Sequence, residues 1–360
     1  MEITEKKENR IMDNHNSDAM ELTMNLVRIN STDPGAYEGE IGEFIFQYLK
    51  GLYVPVIKKE VLPGRFNVMA RLEGEQQAPA LVYICHMDTV TTGEGWTVSP
   101  FGAEVIKGRI YGRGACDMKS GLACALSAFT SMALKARDGQ KPKRTLVFIG
   151  TVDEEDFMRG AEAAIADGWV TKDCWVLDTE PTNGRIEVAH KGRTWFEITV
   201  KGITAHASTP WKGADAIAAM AEIISFIRRR IASCPVHPDL GASTVTFGQI
   251  EGGYRPYVVP DSCRVWIDMR LVPPTDTTSA VTIVENAIAA AIQEIPGITA
   301  SYQITGNRPY VEKDEQSPLL KALGEACQKV TGEPAAVSFF PGYTDTAVIA
   351  GTLGSHNCMS

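Results

Sequence analysis

Four short segments place histidine or carboxylate side chains at the ends of apolar runs. They are HMDTV (86–90), ACDMKSG (115–121), TVDEED (151–156) and DTEP (178–181). Imidazole nitrogen mixed with carboxylate oxygen suits zinc, manganese or cobalt better than calcium or an iron–sulfur cluster. Several carboxylates with few histidines also indicate two metal ions that share a bridging carboxylate. The sequence therefore predicts a metal site assembled from strand ends.

Taken singly, each segment has an ordinary structural explanation. His86 and Asp88 share one face of a strand and could simply hydrogen-bond to each other. Asp117 at a turn into a helix could be the N-cap of that helix. The acidic run 153–156 could be a solvated cluster, although acids at the end of a buried strand repel each other unless a cation is present. Their occurrence together at several strand ends favours the metal site.

The surrounding sequence predicts the elements that position these side chains. ALVYICHMDTV and TLVFIGTVDEE are nearly continuous apolar runs, and helical patterns such as MKSGLACALSAFTSMALKA separate them. Apolar strands that alternate with helices indicate a mostly parallel sheet flanked by helices, with ligands at the carboxyl ends of its strands. Further along, half-exposed strands and two helices follow in the order strand, helix, two strands, helix, strand, which indicates an α+β domain.

We therefore predict an α/β catalytic domain interrupted by an inserted, ferredoxin-like α+β domain that serves in dimerisation or as a lid. The expected limits are a disordered arm at 1–17, catalytic segments at 18–193 and 309–360, and the insertion at 194–308.

Composition narrows the class of protein. The 360 residues carry a net charge of −9, which argues against a nucleic-acid binder. The apolar runs are too short or too charged for a membrane span, and the charged first residues are not a secretory signal. Eight scattered cysteines without a C-x-x-C pair indicate reduced thiols in the cytoplasm. Cys116 and Cys124 are predicted to be small packing residues.

The order and spacing of the motifs resemble a known family. HMDTV, GRGACDMKSG, TVDEE, TEPT, HKG, GITAHAS and VVPDSCRVWIDMR are similar to the co-catalytic metallopeptidases and amidohydrolases that include carboxypeptidase G, acetylornithine deacetylase, succinyl-diaminopimelate desuccinylase and aminoacylase. The resemblance runs from about Ser17 to Asp345. It implies hydrolysis of an amide bond in a small N-acyl amino acid or dipeptide, two divalent ions (zinc first, cobalt or manganese as alternatives), and a homodimer.

The resemblance also implies a role for each matching residue of the metal site. His86 and Glu180 would bind one metal and Glu155 the other. Asp117 would bridge both metals, with a cis peptide bond after it. Glu154 would be the general base that activates the attacking water.

Four further residues match positions that orient the ligands or contact the substrate. Asp88 would orient His86. His206, from the inserted domain of a partner subunit, would stabilise the oxyanion, and Arg270 would hold a substrate carboxylate. Tyr257 stands where the family often has an asparagine, and it could donate a hydrogen bond there.

The end of the chain departs from the family pattern. The family's last ligand is a histidine roughly 20 to 25 residues beyond a loop that here reads PGYTDTA. His356 arrives about half as far along, so we expect the given chain to stop before the last ligand and last helix; alternatively, His356 substitutes. A second hypothesis is a non-catalytic or impaired dimeric relative. The missing histidine favours it, and the retained Glu154 argues against it.

Overall fold

The computed structural model describes residues 18–76, 78–340 and 342–360, so the predicted disordered arm at 1–17 lies outside the described residues. The described chain divides into two compact units. The first comprises residues up to Val188 together with 313–338 and 344–360. The second comprises Ala189–Glu312 and the short segment 339–343. The catalytic and dimerisation roles that the sequence suggested for such units stay predictions.

The helices of the described residues are numbered in chain order. They are α1 (Ala19–Arg28), α2 (Gly39–Lys50), α3 (Ser120–Arg137), α4 (Arg159–Ala166), α5 (Ala216–Ala232), α6 (Thr277–Glu294), α7 (Pro318–Thr331) and α8 (Asp345–Leu353). A π-helical turn, Ala115–Lys119, leads into α3, and a 3₁₀ turn, Pro210–Lys212, precedes α5. None of these helices is both long and apolar enough to cross a membrane.

The strands are numbered in the same way. They are β1 (Val56–Leu62), β2 (Arg65–Leu72), β3 (Leu81–His86), β4 (Glu104–Ile106), β5 (Arg109–Tyr111), β6 (Leu146–Thr151), β7 (Trp175–Leu177), β8 (Ile186–His190), β9 (Gly192–Lys201), β10 (Thr244–Gly252), β11 (Ser262–Leu271), β12 (Thr299–Arg308), β13 (Val337–Phe340) and β14 (Cys358–Met359).

The first unit is built on a mixed sheet with strand order β1-β2-β6-β3-β7-β14. β3 runs parallel to both β6 and β7, and β14 parallel to β7, whereas β2 pairs antiparallel with β1 and β6. The predicted α/β sheet flanked by helices is thus confirmed, with an antiparallel edge that the apolar pattern did not reveal. Because β3, β6 and β7 are parallel, the segments that follow them begin at one edge of the sheet.

The helices of the first unit cover this sheet through apolar faces. Asp18 caps α1 by accepting a hydrogen bond from the Met20 amide at 2.9 Å, and α1 then buries Leu22 and Leu26. In α3 the buried residues include Leu122 and Phe129, whereas Cys116 and Cys124 are exposed. The prediction that these two cysteines are small packing residues is wrong. Cys116 lies in the π-helical turn before α3, and α3 turns residues other than Cys124 toward the sheet. All eight cysteines are unpaired.

The second unit is an antiparallel sheet with strand order β10-β11-β9-β12 and two helices, α5 and α6. Phe196 and Val265 in the strands share one buried cluster with Ile223 in α5 and Val284 in α6. The helices therefore cover one face of the sheet. Residues that alternate with these core positions point to the opposite face.

His190 provides a pH-dependent contribution to the stability of the second unit. It is 1% exposed, and its ring lies 6.1 Å from each of the Phe340 and Tyr343 ring centroids. Burial lowers the pKa of His190 to about 4. An unfolded histidine takes up a proton below about pH 6.5, whereas the buried His190 does so only near pH 4. The contribution of His190 to the unfolding free energy is therefore complete above about pH 6.5 and is lost as the pH falls toward 4.

We expect the wild type to lose roughly 2–3 kcal/mol more unfolding free energy than His190→Gln between pH 7 and pH 4.5. Urea titrations at both pH values measure this difference. Equal losses in the two proteins would contradict the lowered pKa of His190. As a control, the difference in unfolding free energy between wild type and His190→Gln is expected to be constant between about pH 7 and pH 8.

Candidate active site

The His86 imidazole is the centre of the site. It is the last residue of β3 and is 1% exposed. Its Nδ1 lies 3.0 Å from the Asp88 backbone oxygen and 3.6 Å from the Asp88 carboxylate. Its Nε2 lies 3.2 Å from Asp117 Oδ1 and 3.7 Å from Glu180 Oε1. Donation from Nδ1 to the carbonyl fixes the ring so that Nε2 faces the two carboxylates.

The Asp88 carboxylate links the end of β3 to the acidic loop after β6. Besides lying near the His86 ring, it accepts hydrogen bonds from the backbone amides of Glu154 at 3.3 Å and Glu155 at 3.0 Å. In return, the Glu155 carboxylate accepts one from the Val90 amide at 3.3 Å. Asp88 therefore positions the acidic loop as well as the imidazole, a second contact that its spacing from His86 did not indicate.

Asp117 reaches the site from the π-helical turn before α3. Its backbone is non-helical, with φ −116° and ψ 102°, and the helix is capped at Lys119, so Asp117 is not the N-cap. The peptide bond after Asp117 is cis, as the family resemblance implied. At Gly121 a Cβ would lie 2.0 Å from the Thr179 carbonyl oxygen, so only glycine allows α3 to approach the segment that carries Glu180.

Two groups of ligand atoms share His86. One is formed by His86, Asp117 and Glu155, and the other by His86, Glu154 and Glu180, with the atoms of each group within 4.8 Å of one another. The structure thus brings together the five residues that the sequence proposed as ligands and general base. An imidazole nitrogen surrounded by carboxylate oxygens is a donor set that fits divalent zinc, manganese or cobalt.

The electrostatics of the cluster also fit a cation. Burial raises the pKa of Glu154, Glu155 and Glu180, and in each case attraction to His86 is the largest opposing influence. Burial disfavours the His86 imidazolium, but Glu180, Asp117 and Asp88 outweigh it and hold the pKa well above its usual range. One imidazole thus faces several crowded carboxyl groups, an arrangement that bound divalent ions would stabilise.

A third acidic group already has a positive partner. Asp33, Glu38 and Asp88 lie close together, but the Arg65 guanidinium donates at 2.6 Å to both Asp33 and Glu38. Arg65 also lies 3.4 Å from the Asp153 carboxylate, while the Asp153 amide donates to Glu38 at 2.9 Å. This buried network holds the start of the acidic loop. The sequence did not reveal it, because the partners are far apart in the chain.

Replacing Arg65 tests the importance of this network. We expect Arg65→Met to lower the unfolding free energy by about 3–5 kcal/mol, because it leaves buried carboxylates without their partner. It should also lower kcat, since Asp153 immediately precedes Glu154. Arg71→Met is the matched control: Arg71 lies on the same strand in an exposed pair with Glu73, and its loss should cost under about 1 kcal/mol. Equal losses from the two substitutions, measured by urea unfolding, would contradict this role.

Three predicted substrate residues belong to the second unit. His206 is exposed, with Nδ1 2.7 Å from Ser208 Oγ. Tyr257 lies next to this segment, because its carbonyl oxygen accepts a hydrogen bond from the Ala207 amide at 3.1 Å. Tyr257 is 59% exposed. Arg270 is on β11, where both Nε and Nη2 donate to Asp268 at 2.9 Å.

Two other acidic residues and the last histidine lie outside the ligand groups. Asp178 is buried and accepts a hydrogen bond from the Thr346 hydroxyl group at 2.8 Å. Asp345 accepts a hydrogen bond from the Thr151 hydroxyl group at 2.5 Å. Burial raises the pKa of Asp345 to about 7. His356 is exposed between α8 and β14, and within the described residues neither metal-binding group includes it.

The α/β sheet and its histidine–carboxylate cluster together define a metal-dependent hydrolase of amide or peptide bonds. The chain belongs to peptidase family M20/M25/M40, whose model matches residues 82–359. The resemblance stated from the motifs is therefore confirmed.

Two relatives carry the names of deacylases. The chain is 28% identical over 309 residues to an acetylornithine deacetylase of Vibrio cholerae, covering 84% of this chain and 80% of the relative. It is 27% identical over 339 residues to a probable succinyl-diaminopimelate desuccinylase of Staphylococcus aureus, covering 85% and 81%.

Solved structures show the same fold. Aminopeptidase PepT from Bacillus cereus superposes with a TM-score of 0.74 at 24% identity, covering 93% of this chain and 88% of that one. A dinuclear metal-binding peptidase of the M20 family from Bacillus subtilis gives a TM-score of 0.68 at 18% identity, covering 93% and 85%.

Proposed function

We propose that this protein hydrolyses the amide bond of a small N-acyl amino acid or dipeptide. The reaction requires two divalent ions, for which zinc is the first candidate. The observation that carries the proposal is the His86 Nε2 atom, which faces the Asp117 and Glu180 carboxylates, with Glu154 and Glu155 beside them. The names of the relatives, a deacetylase and a desuccinylase, support amide hydrolysis on small acyl compounds. The retained Glu154 favours a hydrolase over a non-catalytic dimeric relative.

The residues that would hold the two ions are His86, Asp117, Glu155 and Glu180. When bound, such ions lower the pKa of water and polarise the scissile carbonyl. Cobalt or manganese would suit the same donor atoms.

Glu154 is the general base of this proposal. Its side chain is buried, and burial raises its pKa, so the carboxyl group can hold a proton nearer neutral pH than an exposed glutamate. It takes a proton from the attacking water and delivers it to the leaving amine nitrogen. Asp88 keeps Glu154 in place through the backbone amide of Glu154 itself.

The second unit supplies substrate contacts in this proposal. Arg270 binds the substrate carboxylate, and Asp268 fixes its guanidinium plane. His206, from the partner subunit of a homodimer, and Tyr257 would donate hydrogen bonds to the substrate or oxyanion; the exposure of both leaves them accessible. A cytoplasmic location is consistent with eight unpaired cysteines.

The direct test is release of free amine from N-acetyl-L-ornithine, an N-succinyl amino acid and a dipeptide by the zinc-loaded chain. We expect hydrolysis of at least one of them, its loss after dialysis against a chelator, and its return with zinc, cobalt or manganese. No release from any compound with any of the three metals would overturn the proposal.

A further inference from the structure

Lys119 is a lysine in the interior of the first unit. It is 0% exposed and is among the largest fully buried side chains of the described residues. Its amine donates hydrogen bonds to two backbone oxygens, that of Leu26 at 3.1 Å and that of Ile29 at 2.7 Å. Lysine is almost never fully buried without a partner. Because a methionine would fill nearly the same volume without burying an amine, these hydrogen bonds indicate a role beyond packing.

The two oxygen atoms that Lys119 contacts belong to the end of α1. Leu26 lies in the last turn of this helix, and Ile29 is its C-cap residue. Carbonyl groups at the end of a helix lack partners within the helix and carry partial negative charge. A lysine amine is a favourable partner for them. The Lys119 side chain therefore fastens the end of α1 to the turn that precedes α3.

The backbone of Lys119 closes the π-helical turn that carries Asp117. Its amide donates a hydrogen bond to the Gly114 carbonyl oxygen at 2.9 Å. Gly114 has φ +79°, and a Cβ there would lie 2.6 Å from the Thr89 side chain and 3.1 Å from that of Lys119. Only glycine allows this close approach. Asp117 thus lies in a turn that is packed against the stem of Lys119 and closed by its amide.

The segment after α1 is paired with the strand end that carries His86. Thr89, three residues beyond His86, donates its amide to the Ser31 oxygen at 3.0 Å. The Thr89 oxygen in turn accepts a hydrogen bond from the Asp33 amide at 2.8 Å. The end of α1 and the residues after it therefore contact both parts of the site. They hold the turn through Lys119 and the end of β3 through Thr89.

We propose that Lys119 is a positioning residue that keeps the Asp117 carboxylate at metal-binding distance from His86. This inference rests on the proposed function, because Asp117 and His86 are metal ligands in that proposal. Their closest atoms, Oδ1 and Nε2, lie 3.2 Å apart. Lys119 belongs to neither metal-binding group of the described residues, so it acts through the turn. Loss of its amine would change the geometry of the metal site without removing a ligand.

Cobalt(II) serves as the probe, because its visible absorption bands depend on the number and arrangement of its ligand atoms. The full chain and Lys119→Met are stripped of metal with a chelator and then titrated with cobalt or with zinc. We expect the variant to show altered visible bands and to bind one of two zinc ions about tenfold to a hundredfold more weakly. Wild-type bands and wild-type zinc affinity in Lys119→Met would overturn the inference.

Two substitutions in α3 are the matched controls. Lys135→Met makes the same replacement at an exposed position and should keep the wild-type bands and zinc affinity. Phe129→Leu removes core contacts with Phe148 and lowers stability, but it should also keep both properties in the folded fraction. Circular dichroism measures the folded fraction of each variant. Effects of Lys119→Met no larger than those of Phe129→Leu would overturn the positioning role.

A measurement on the wild type tests the inference even where Lys119→Met does not fold. Amide hydrogen exchange, followed by mass spectrometry, compares the metal-free chain with the zinc-loaded chain. We expect zinc to slow exchange in the last turn of α1 and at Ile29, because ligation by Asp117 fixes the turn that Lys119 fastens to them. Exchange there that zinc does not change would overturn the inference.

Amine release separates the two proposals. Cobalt bands that depend on Lys119, in a chain that hydrolyses no amide, would support the positioning role and overturn only the proposed hydrolysis. Amide hydrolysis by Lys119→Met at the wild-type kcat, with wild-type cobalt bands, would support the proposed function and overturn only the positioning role.

Discussion

Glu154→Gln is expected to lower kcat for amide hydrolysis by about 10²–10⁴-fold while the chain keeps its bound metal. Glutamine has nearly the same shape but cannot accept the proton from the attacking water. Because Glu154 is buried beside the ligand atoms, the substitution should change chemistry more than packing. Steady-state kinetics and elemental analysis of the same sample measure both quantities.

The metal content of Glu154→Gln distinguishes a base from a ligand. Glu154 belongs to one of the groups that share His86, so its position alone permits either role. Loss of one metal per chain would contradict the assignment as general base, as would kcat within about twofold of wild type. Asp156→Asn, at an exposed position in the same acidic loop, is the control. It should keep the wild-type metal content and the wild-type kcat.

Asp117→Ala is expected to have the second large effect. As a bridging ligand Asp117 would contact both ions, so its removal should reduce the metal bound per chain by at least one. We expect kcat to fall by about 10³-fold, comparable to losing a major electrostatic contribution to catalysis. Metal content by elemental analysis and amine release are the measurements.

Cys116→Ser is the control for this second prediction. Cys116 precedes Asp117 in the same π-helical turn and is exposed. Its replacement should leave metal content and kcat unchanged. If both variants lost metal equally, the defect would lie in folding of the turn, and the bridging role would be contradicted.

The ligand cluster could be predicted because sheet topology carries it. His86 ends β3, and Glu154 and Glu180 follow β6 and β7, so parallel strands bring them to one edge. The strands were recognisable from apolar runs. The antiparallel edge formed by β1 and β2 was not, because β1 is largely exposed and has no apolar run, and the composition of β2 does not reveal its direction.

The supporting contacts could not be predicted from spacing. Asp88 accepts hydrogen bonds from the backbone amides of Glu154 and Glu155, which are 66 and 67 residues away in the chain. Arg65 donates a hydrogen bond to Glu38, which is 27 residues away. Only the assembled fold brings such partners together. The exposure of Cys124 depends on which side of α3 faces the sheet.

The central claim is that the cluster around His86 binds two divalent ions that hydrolysis requires. The most direct measurement is a zinc titration of the metal-free chain, with bound zinc and amine release determined on each sample. The claim predicts about two zinc ions per chain and activity that rises until the second is bound, with both lost in His86→Ala. Full activity in the metal-free chain, or zinc binding unaffected by His86→Ala, would contradict it.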